Sequence, residues 1–151
     1  MREYIISTDS TADLPDSYIK EHGIVIQNLT YCFGTDLSSD TDELDPAAFY
    51  ARMRGGEMPT TNASNPEQVR ISFENILKQG KDILHLAFSS ALSSSYSTTM
   101  VVAEELKEEY PERKIIVVDS YSASLGQGLF VHKAVQKKEA GEDIDSVADW
   151  L

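Results

Sequence analysis

The sequence predicts an α/β fold with a mostly parallel sheet and helices on both faces. Two observations support this class. Apolar strands alternate with helices of the length that βαβ units need. Three of the strands also run directly into clusters of hydroxyl residues that each open a helix. These strand-and-turn pairs are residues 4–7 with 8–11, 83–88 with 89–95, and 115–118 with 119–124.

Helix start and stop signals divide the first half of the chain. Asp13 with Pro15, and Asp45 with Pro46, predict helix starts, because Asp caps free amides and Pro fits a first helical turn. Gly23 ends the first helix. The predicted elements are a strand at residues 4–7, a helix at 15–21, a long strand at 23–33, a polar turn at 34–42 with a short hairpin return as the alternative, and a helix at 46–54.

The second half continues the alternation of strand and helix. Asn65 and Pro66 open a helix that ends at Gly80, and Leu125 and Leu129 are assigned to the apolar side of a later helix. The predicted elements are a loop at residues 58–67, a helix from 66 that buries Val69, Phe73, Ile76 and Leu77, a strand at 83–88, a helix at 99–110, a strand at 115–118, a helix at 124–139 and an apolar helical stripe at 144–151.

Composition and charge exclude several functions. A net charge of −12 argues against binding to nucleic acid or to anionic lipid, since both require Lys and Arg. No apolar stretch approaches membrane-spanning length and no signal peptide is recognisable, so we expect a cytoplasmic protein without an integral membrane segment. Motifs for nucleophilic, nucleotide or zinc chemistry are absent from the sequence, so we expect no catalytic residue, metal or cofactor.

The hydroxyl clusters predict a ligand crevice. Loops at the carboxyl ends of parallel strands share one edge of the sheet, and Ser or Thr hydroxyls with helix N-termini suit an anion. Five serines stand within residues 89–95, where one or two suffice for capping a helix. Ser93, nearest the expected helix start, is the favoured ligand residue, and capping alone is the alternative. Thr60 and Thr61, in an aperiodic loop, are further candidates.

Residues beside these hydroxyls are expected to support the loops. Asp9-Ser10 and Asp119-Ser120 place an acid and a hydroxyl at strand ends, where Asp can hold backbone amides. Gly126 and Gly128 lie in the first turns of a helix and predict close packing against the sheet or a ligand.

The ordered motifs resemble those of DegV proteins, which are bacterial fatty-acid-binding proteins. The motifs are residues 8–15 (Thr-Asp-Ser-Thr-Ala-Asp-Leu-Pro), Pro59-Thr60-Thr61, Ser89-Ser90-Ala91-Leu92-Ser93 with Tyr96, and Val118-Asp119-Ser120 with Ser124, Gly126 and Gly128. The resemblance covers the whole chain. It implies that residues 1–151 form the amino-terminal α/β domain and that a second, carboxy-terminal domain is missing from this chain.

The resemblance also implies a function. The chain would bind one long-chain fatty acid, with Thr61 and Ser93 hydrogen-bonded to the carboxylate and Thr60 and Ser94 beside them. Those members that are characterised as fatty acid kinase subunits present the carboxylate to an ATP-dependent catalytic subunit, which makes acyl phosphate. The chain itself would then be a lipid-binding subunit and not an enzyme.

Two other functions remain open at this point. One is a phosphate- or nucleotide-binding α/β domain, since helix N-termini also suit phosphate. The absence of Lys and Arg from the hydroxyl turns counts against it. The other is an isolated protein-interaction domain that uses its apolar edge. Where the second domain is missing, as the resemblance implies, we expect self-association of the truncated domain through its exposed apolar walls.

Overall fold

The computed structural model describes residues 2–34, 36–39 and 45–151. Its strands are β1 Tyr4–Asp9, β2 Val25–Gln27, β3 Thr30–Phe33, β4 Asp36–Ser39, β5 Pro59–Asn62, β6 Asp82–Ala87 and β7 Ile115–Asp119. Its helices are α1 Asp16–His22, α2 Pro46–Arg54, α3 Pro66–Leu77, α4 Ser95–Glu109, α5 Ser124–Glu139 and α6 Ile144–Trp150, with a 3₁₀ turn at Ser10–Ala12. In these ranges, none of the helices has the length and apolar character needed to cross a membrane.

The predicted parallel sheet is confirmed. Its strand order is β2-β1-β6-β7, and each neighbouring pair is parallel. β1 therefore lies between β2 and β6, and the chain leaves it in one direction to form β2 and returns on its other side to form β6. This reversal creates a topological switch point between the carboxyl ends of β1 and β6, where open α/β sheets bind ligands.

Helices cover both faces of this sheet, as predicted. Successive strand residues face opposite sides, so Ile83 of β6 packs with α3 and α4, while Leu84 packs with α5 and α6. The core between the sheet and α3 and α4 contains the predicted face of α3, with Phe73 fully buried. The core between the sheet and α5 and α6 contains Val131 and the other inward apolar residues of α5.

One predicted strand is in fact two. Residues 23–33 divide into β2, in the parallel sheet, and β3, in a separate antiparallel sheet of order β4-β3-β5. At the end of β2 the Gln27 side chain is buried and donates to the Ser72 hydroxyl at 2.8 Å. The hairpin alternative is correct for β4, while residue 35 and residues 40–42 of that prediction lie outside the described part of the chain.

The loop predicted at residues 58–67 is also partly wrong. Pro59–Asn62 forms β5, which pairs antiparallel with β3. Pro, Thr and Asn give this segment no alternating apolar pattern, so its strand character comes from pairing with a neighbour distant in sequence.

Helix starts follow the capping signals with one exception. The Asp45 side chain accepts from the Ala47 amide and caps α2, and Asn65 caps α3 in the same way. Asp13 does not cap α1. Its backbone is left-handed, with φ of 51°, and its carboxylate accepts from the Ser124 hydroxyl at 2.6 Å.

The apolar side assigned to α5 is wrong at its first turns. Leu125 and Leu129 are 69% and 57% exposed. The residue that packs closely in these turns is instead Gly128, which lies against the 3₁₀ turn. At the other end of the chain, Leu151 packs on the core, whereas Trp150 is 53% exposed.

We predict that Gly128→Ala destabilises the fold. A Cβ at position 128 would lie 2.6 Å from the Ala12 carbonyl oxygen, and relieving this overlap costs roughly 1–3 kcal/mol of unfolding free energy. Gly126→Ala is the matched control, because its nearest contact is an ordinary 3.4 Å and helix propensity favours Ala by up to about 1 kcal/mol. Urea unfolding measures both variants, and equal midpoints would contradict the close approach.

Candidate ligand crevice at the carboxyl edge of the sheet

The crevice lies at the switch point and its loops are joined by backbone hydrogen bonds. The Ser120 amide donates to the Ala87 carbonyl at 3.2 Å, and the Ser89 amide donates to the Ser122 carbonyl at 3.1 Å. The turn after β6 and the turn after β7 therefore run side by side. This contact brings the second and third hydroxyl clusters of the sequence together at one edge.

Asp9, the last residue of β1, joins two more segments to this edge. Its side chain is fully buried. Oδ2 accepts from the Phe88 amide at 2.6 Å, and Oδ1 accepts from the Ser64 hydroxyl at 3.4 Å. Burial raises the pKa of Asp9, but the His85 ring, the Phe88 amide and the Ser64 hydroxyl lower it by more, so its net pKa is below the usual aspartate value.

His85 lies beneath Asp9 in the buried layer. Its Nδ1 is 3.0 Å from the Ser7 hydroxyl, and its Nε2 is 3.8 Å from Asp9 Oδ2. A distance of 3.8 Å is too long for a hydrogen bond, and Nε2 has no hydrogen-bond partner among the described residues. Ser7, His85 and Asp9 are all buried, so solvent does not reach this trio from the crevice.

The other acid and hydroxyl pairs hold loop backbone. Asp119 accepts from the Ser90 amide at 3.2 Å and from the Tyr121 amide at 3.0 Å. Burial raises the pKa of Asp119, and these contacts lower it below its usual range. Ser120 exchanges two 3.3 Å hydrogen bonds with Ser122, and the Ser10 hydroxyl accepts from the Leu29 amide at 3.1 Å.

Ser93 is half-buried and belongs to a short chain of hydroxyls. Its Oγ accepts from the Ser95 amide at 3.1 Å and lies 2.9 Å from Ser95 Oγ. Ser95 Oγ in turn accepts from the Ser64 amide at 3.1 Å. Because Ser64 follows β5 by two residues, these bonds fasten the end of β5 to the serine turn.

Thr60 and Thr61 are both exposed and face opposite sides of β5. Thr60 lies opposite Cys32 and shares the face on which Asn62 contacts the Cys32 sulfur. Thr61 lies opposite Tyr31, on the other face. The structure therefore separates the two threonines. Thr61 stands no more than about 11 Å along the backbone from Ser64, the residue tied to the serine turn.

The face that carries Thr61 is aromatic. Tyr31 and Phe33 of β3 pack on Phe49 of α2, with ring centroids 4.9 Å and 5.2 Å from that ring. The Arg52 guanidinium lies 4.0 Å from the centre of the Phe33 ring and is paired with Glu57. A hydroxyl and an apolar wall therefore share this surface.

Ser94 precedes α4, which begins at Ser95, directly after the serine turn as the sequence predicts. Its side chain is exposed and makes no capping hydrogen bond. Gly126 is exposed in the first turn of α5, where a Cβ would meet the Ser122 side chain at 3.4 Å.

Several residues of this edge have no sequence signal of their own. Gln127 is fully buried and donates to the Thr8 hydroxyl at 3.0 Å and to the Leu86 carbonyl at 3.2 Å, while Thr11 donates to it at 2.8 Å. Its position between two glycines in a first helical turn is the one available hint. Ser64 and Ser95 fasten β5 to the serine turn through a hydrogen bond between distant parts of the sequence, which no local pattern predicts.

The chemistry of the edge is that of neutral donors. The three hydroxyl turns contain no Lys or Arg. Across residues 2–34, 36–39 and 45–151 no group of three or more His, Cys, Asp or Glu side chains is placed to hold a metal ion. Hydroxyls, backbone amides and the start of α4 can together hydrogen-bond an acceptor such as a carboxylate.

Fold and crevice define the class: an open α/β domain with a hydroxyl-lined edge at its switch point. The chain belongs to the DegV family, since the family model described as "Uncharacterised protein, DegV family" matches residues 4–151. A DegV domain-containing protein of Clostridium perfringens is 42% identical across 100% of this chain and 53% of its own length. One from Lactococcus lactis is 32% identical across 97% of this chain and 51% of its own length.

Solved structures of fatty-acid-binding proteins have the same fold. A stearic acid-binding protein from Eubacterium ventriosum matches with a TM-score of 0.89 and 25% identity, over 95% of this chain and 50% of its own. A DegV family protein from Thermus thermophilus, described by its fatty acid binding, matches with a TM-score of 0.85 and 30% identity, over 97% of this chain and 51% of its own. The chain thus spans about half the length of these relatives.

We predict that Asp9→Asn destabilises the fold and makes its free energy of unfolding depend less on pH in the acid range. One amide oxygen cannot replace two carboxylate oxygens that accept from Phe88 and Ser64, so we expect a loss of roughly 1–3 kcal/mol at pH 7. Because folding lowers the pKa of Asp9, its contribution is complete above its unfolded pKa of about 3.9 and is lost as pH falls through the lower folded value.

Urea unfolding from pH 7 to pH 2 measures this effect. Asp149→Asn makes the same chemical change at an exposed position of α6 and should leave both the midpoint and its pH dependence nearly unchanged. An Asp9→Asn variant whose stability falls on acidification as steeply as that of the wild type would show that Asp9 does not cause this pH dependence.

Proposed function

We propose that this chain binds a long-chain fatty acid, with the carboxylate at the serine turn and the acyl chain leaving along the aromatic face of β3 and β5. The observation that carries the proposal is the pairing of neutral hydroxyl donors with an apolar wall. Ser93 stands in the turn after β6 and is linked through Ser95 to Ser64. Thr61 shares the face of the antiparallel sheet that carries Tyr31 and Phe33. The fatty acids bound by the two relatives support the same ligand.

Ser93 and Thr61 are the proposed carboxylate ligands. A hydrogen bond to a charged acceptor contributes roughly 1.5–3 kcal/mol net, so two such donors hold a carboxylate without Lys or Arg. Ser94 is proposed to contribute through its exposed hydroxyl at the start of α4. Thr60 faces away from Thr61, and its proposed role is confined to holding the strand beside the site.

Residues 1–151 are proposed to be the amino-terminal domain of a two-domain protein. The support is the length comparison, since the relatives are about twice as long. In this proposal the second domain supplies the remainder of the acyl-chain enclosure.

The bound fatty acid is proposed to be a substrate for a separate fatty acid kinase catalytic subunit, which phosphorylates the carboxylate. Support for this step comes from the DegV motifs of the sequence. A carboxylate held only by neutral hydroxyls at an open edge of the sheet keeps its oxygens available for attack on a phosphate. The chain would then bind and present, while the partner performs the chemistry.

We predict that the protein expressed from its complete gene binds hexadecanoic acid in a one-to-one ratio and that Ser93→Ala weakens this binding. The variant loses one charge-assisted donor, so we expect a loss of roughly 1–3 kcal/mol. Isothermal titration calorimetry measures affinity and stoichiometry together.

Ser97→Ala is the matched control, because Ser97 is exposed two residues further along α4. Tight binding of ATP with no binding of hexadecanoic acid would overturn the proposal in favour of a nucleotide site. An unchanged affinity in Ser93→Ala would remove Ser93 from the site while leaving the ligand intact.

We predict that the 151-residue chain alone binds hexadecanoic acid at least about tenfold more weakly than the protein from the complete gene. Each buried methylene contributes about 0.8 kcal/mol, so a missing wall costs several kcal/mol. We also expect self-association through exposed apolar side chains such as Leu125, Leu129 and Trp150.

Side-by-side calorimetry and sedimentation velocity test both expectations. A strictly monomeric 151-residue chain with the affinity of the complete product would show that this domain encloses the ligand by itself, and the two-domain enclosure would be wrong.

A further inference from the structure

The Ser95 hydroxyl occupies a fully buried position behind Ser93. Its Oγ makes two contacts with described residues: it accepts from the Ser64 amide at 3.1 Å and lies 2.9 Å from Ser93 Oγ. A hydroxyl has one proton and two lone pairs. Since the Ser64 amide can only donate, Ser93 Oγ is the acceptor that these contacts offer to the Ser95 proton.

The hydrogen-bond donors and acceptors around Ser93 can be assigned in the same way. Its Oγ already accepts from the Ser95 amide at 3.1 Å, and accepting from the Ser95 hydroxyl uses its second lone pair. Both of its contacts with described residues are then donors. With this assignment the Ser93 proton has no acceptor among these contacts, and it belongs to a side chain that is only half-buried.

We propose that Ser95 is a positioning residue that makes Ser93 a dedicated hydrogen-bond donor, so that the site selects a head group able to accept. This inference rests on the proposed function, in which Ser93 contacts the fatty acid carboxylate. Ser95 does not touch the ligand. It orients the proton of the residue that does.

The common direction of these successive hydrogen bonds strengthens Ser93 as a donor. The Ser64 amide donates to Ser95, Ser95 donates to Ser93, and Ser93 donates to the ligand, so every bond polarises the next toward the crevice. The Ser64 end is itself anchored, because its hydroxyl donates to the buried Asp9 carboxylate. A carboxylate, which only accepts, completes this chain, whereas a primary ammonium, which only donates, opposes it.

A double-mutant cycle on the protein from the complete gene tests the inference, with hexadecanoic acid as the probe. Ser95→Ala is expected to weaken binding roughly three- to tenfold, the range of one hydrogen bond's net worth. In a Ser93→Ala background the same substitution is expected to change affinity by less than about twofold, because the donor that it orients is gone. The exposed Ser97→Ala control stays within about twofold of wild type in both backgrounds.

Head-group selectivity is the second measurement. Ser95→Ala is expected to lower affinity for hexadecanoic acid more than for hexadecan-1-ol, since only the acid is a charged acceptor. Ser95→Cys keeps the shape of the side chain and replaces the hydroxyl by a weak donor. It is expected to show the same loss of selectivity, and it serves if Ser95→Ala fails to fold in a thermal unfolding check.

Different results would contradict the positioning role of Ser95 and the proposed binding of a fatty acid. A Ser95→Ala loss that persists in full in the Ser93→Ala background would show that Ser95 acts through Ser64 and the end of β5, and would overturn the positioning role. Unchanged affinity and selectivity in both Ser95 variants would do the same. An absence of hexadecanoic acid binding by the wild-type protein would instead overturn the proposed function itself.

Discussion

The buried carboxylate of Asp9 is the interaction on which the carboxyl edge of the sheet depends. It stands at the switch point between β1 and β6 and accepts from the Phe88 amide and the Ser64 hydroxyl. Those two donors belong to segments that the chain reaches by different routes, one after β6 and one after β5. A buried charge is costly unless it is hydrogen-bonded, so the fold is constrained to keep both segments in place around it.

The arrangement proposed for the carboxylate end of the ligand follows from that constraint. With Ser64 held by Asp9, its amide is presented to Ser95, and Ser95 in turn meets Ser93. The start of α5 is also held at this edge, because the Gln127 side-chain amide donates to the Thr8 hydroxyl. The crevice is thus assembled from polar groups whose hydrogen bonds are largely satisfied within the protein, which leaves few donors directed outward. In the proposed site the anion is recognised by the orientation of hydroxyl protons and not by net charge, since the chain itself carries a net charge of −12.

The antiparallel sheet β4-β3-β5 adds what the parallel sheet cannot provide. The parallel strands are covered by helices on both faces, so their apolar residues are already buried in the two cores. β3 and β5 instead lie apart from those cores and pack their aromatic face on Phe49 of α2. Because neighbouring strand residues face opposite ways, only one of Thr60 and Thr61 can share that face. The proposed division between a polar head site and an apolar wall follows from this alternation.

The sequence by itself determined the fold class, the helix starts at Asp45 and Asn65, the inward face of α3 and the location of the hydroxyl turns. These features depend on local rules of capping, periodicity and turn chemistry, which act between residues close in sequence. Only the tertiary structure decided that residues 23–33 serve two sheets, that β5 is a strand, and that the exposed leucines of α5 face away from the core. It also decided the partners of Ser64, Ser95 and Gln127. The reason is physical: each of these outcomes depends on a hydrogen bond or a close approach between residues tens of positions apart, and no local pattern encodes such a partner.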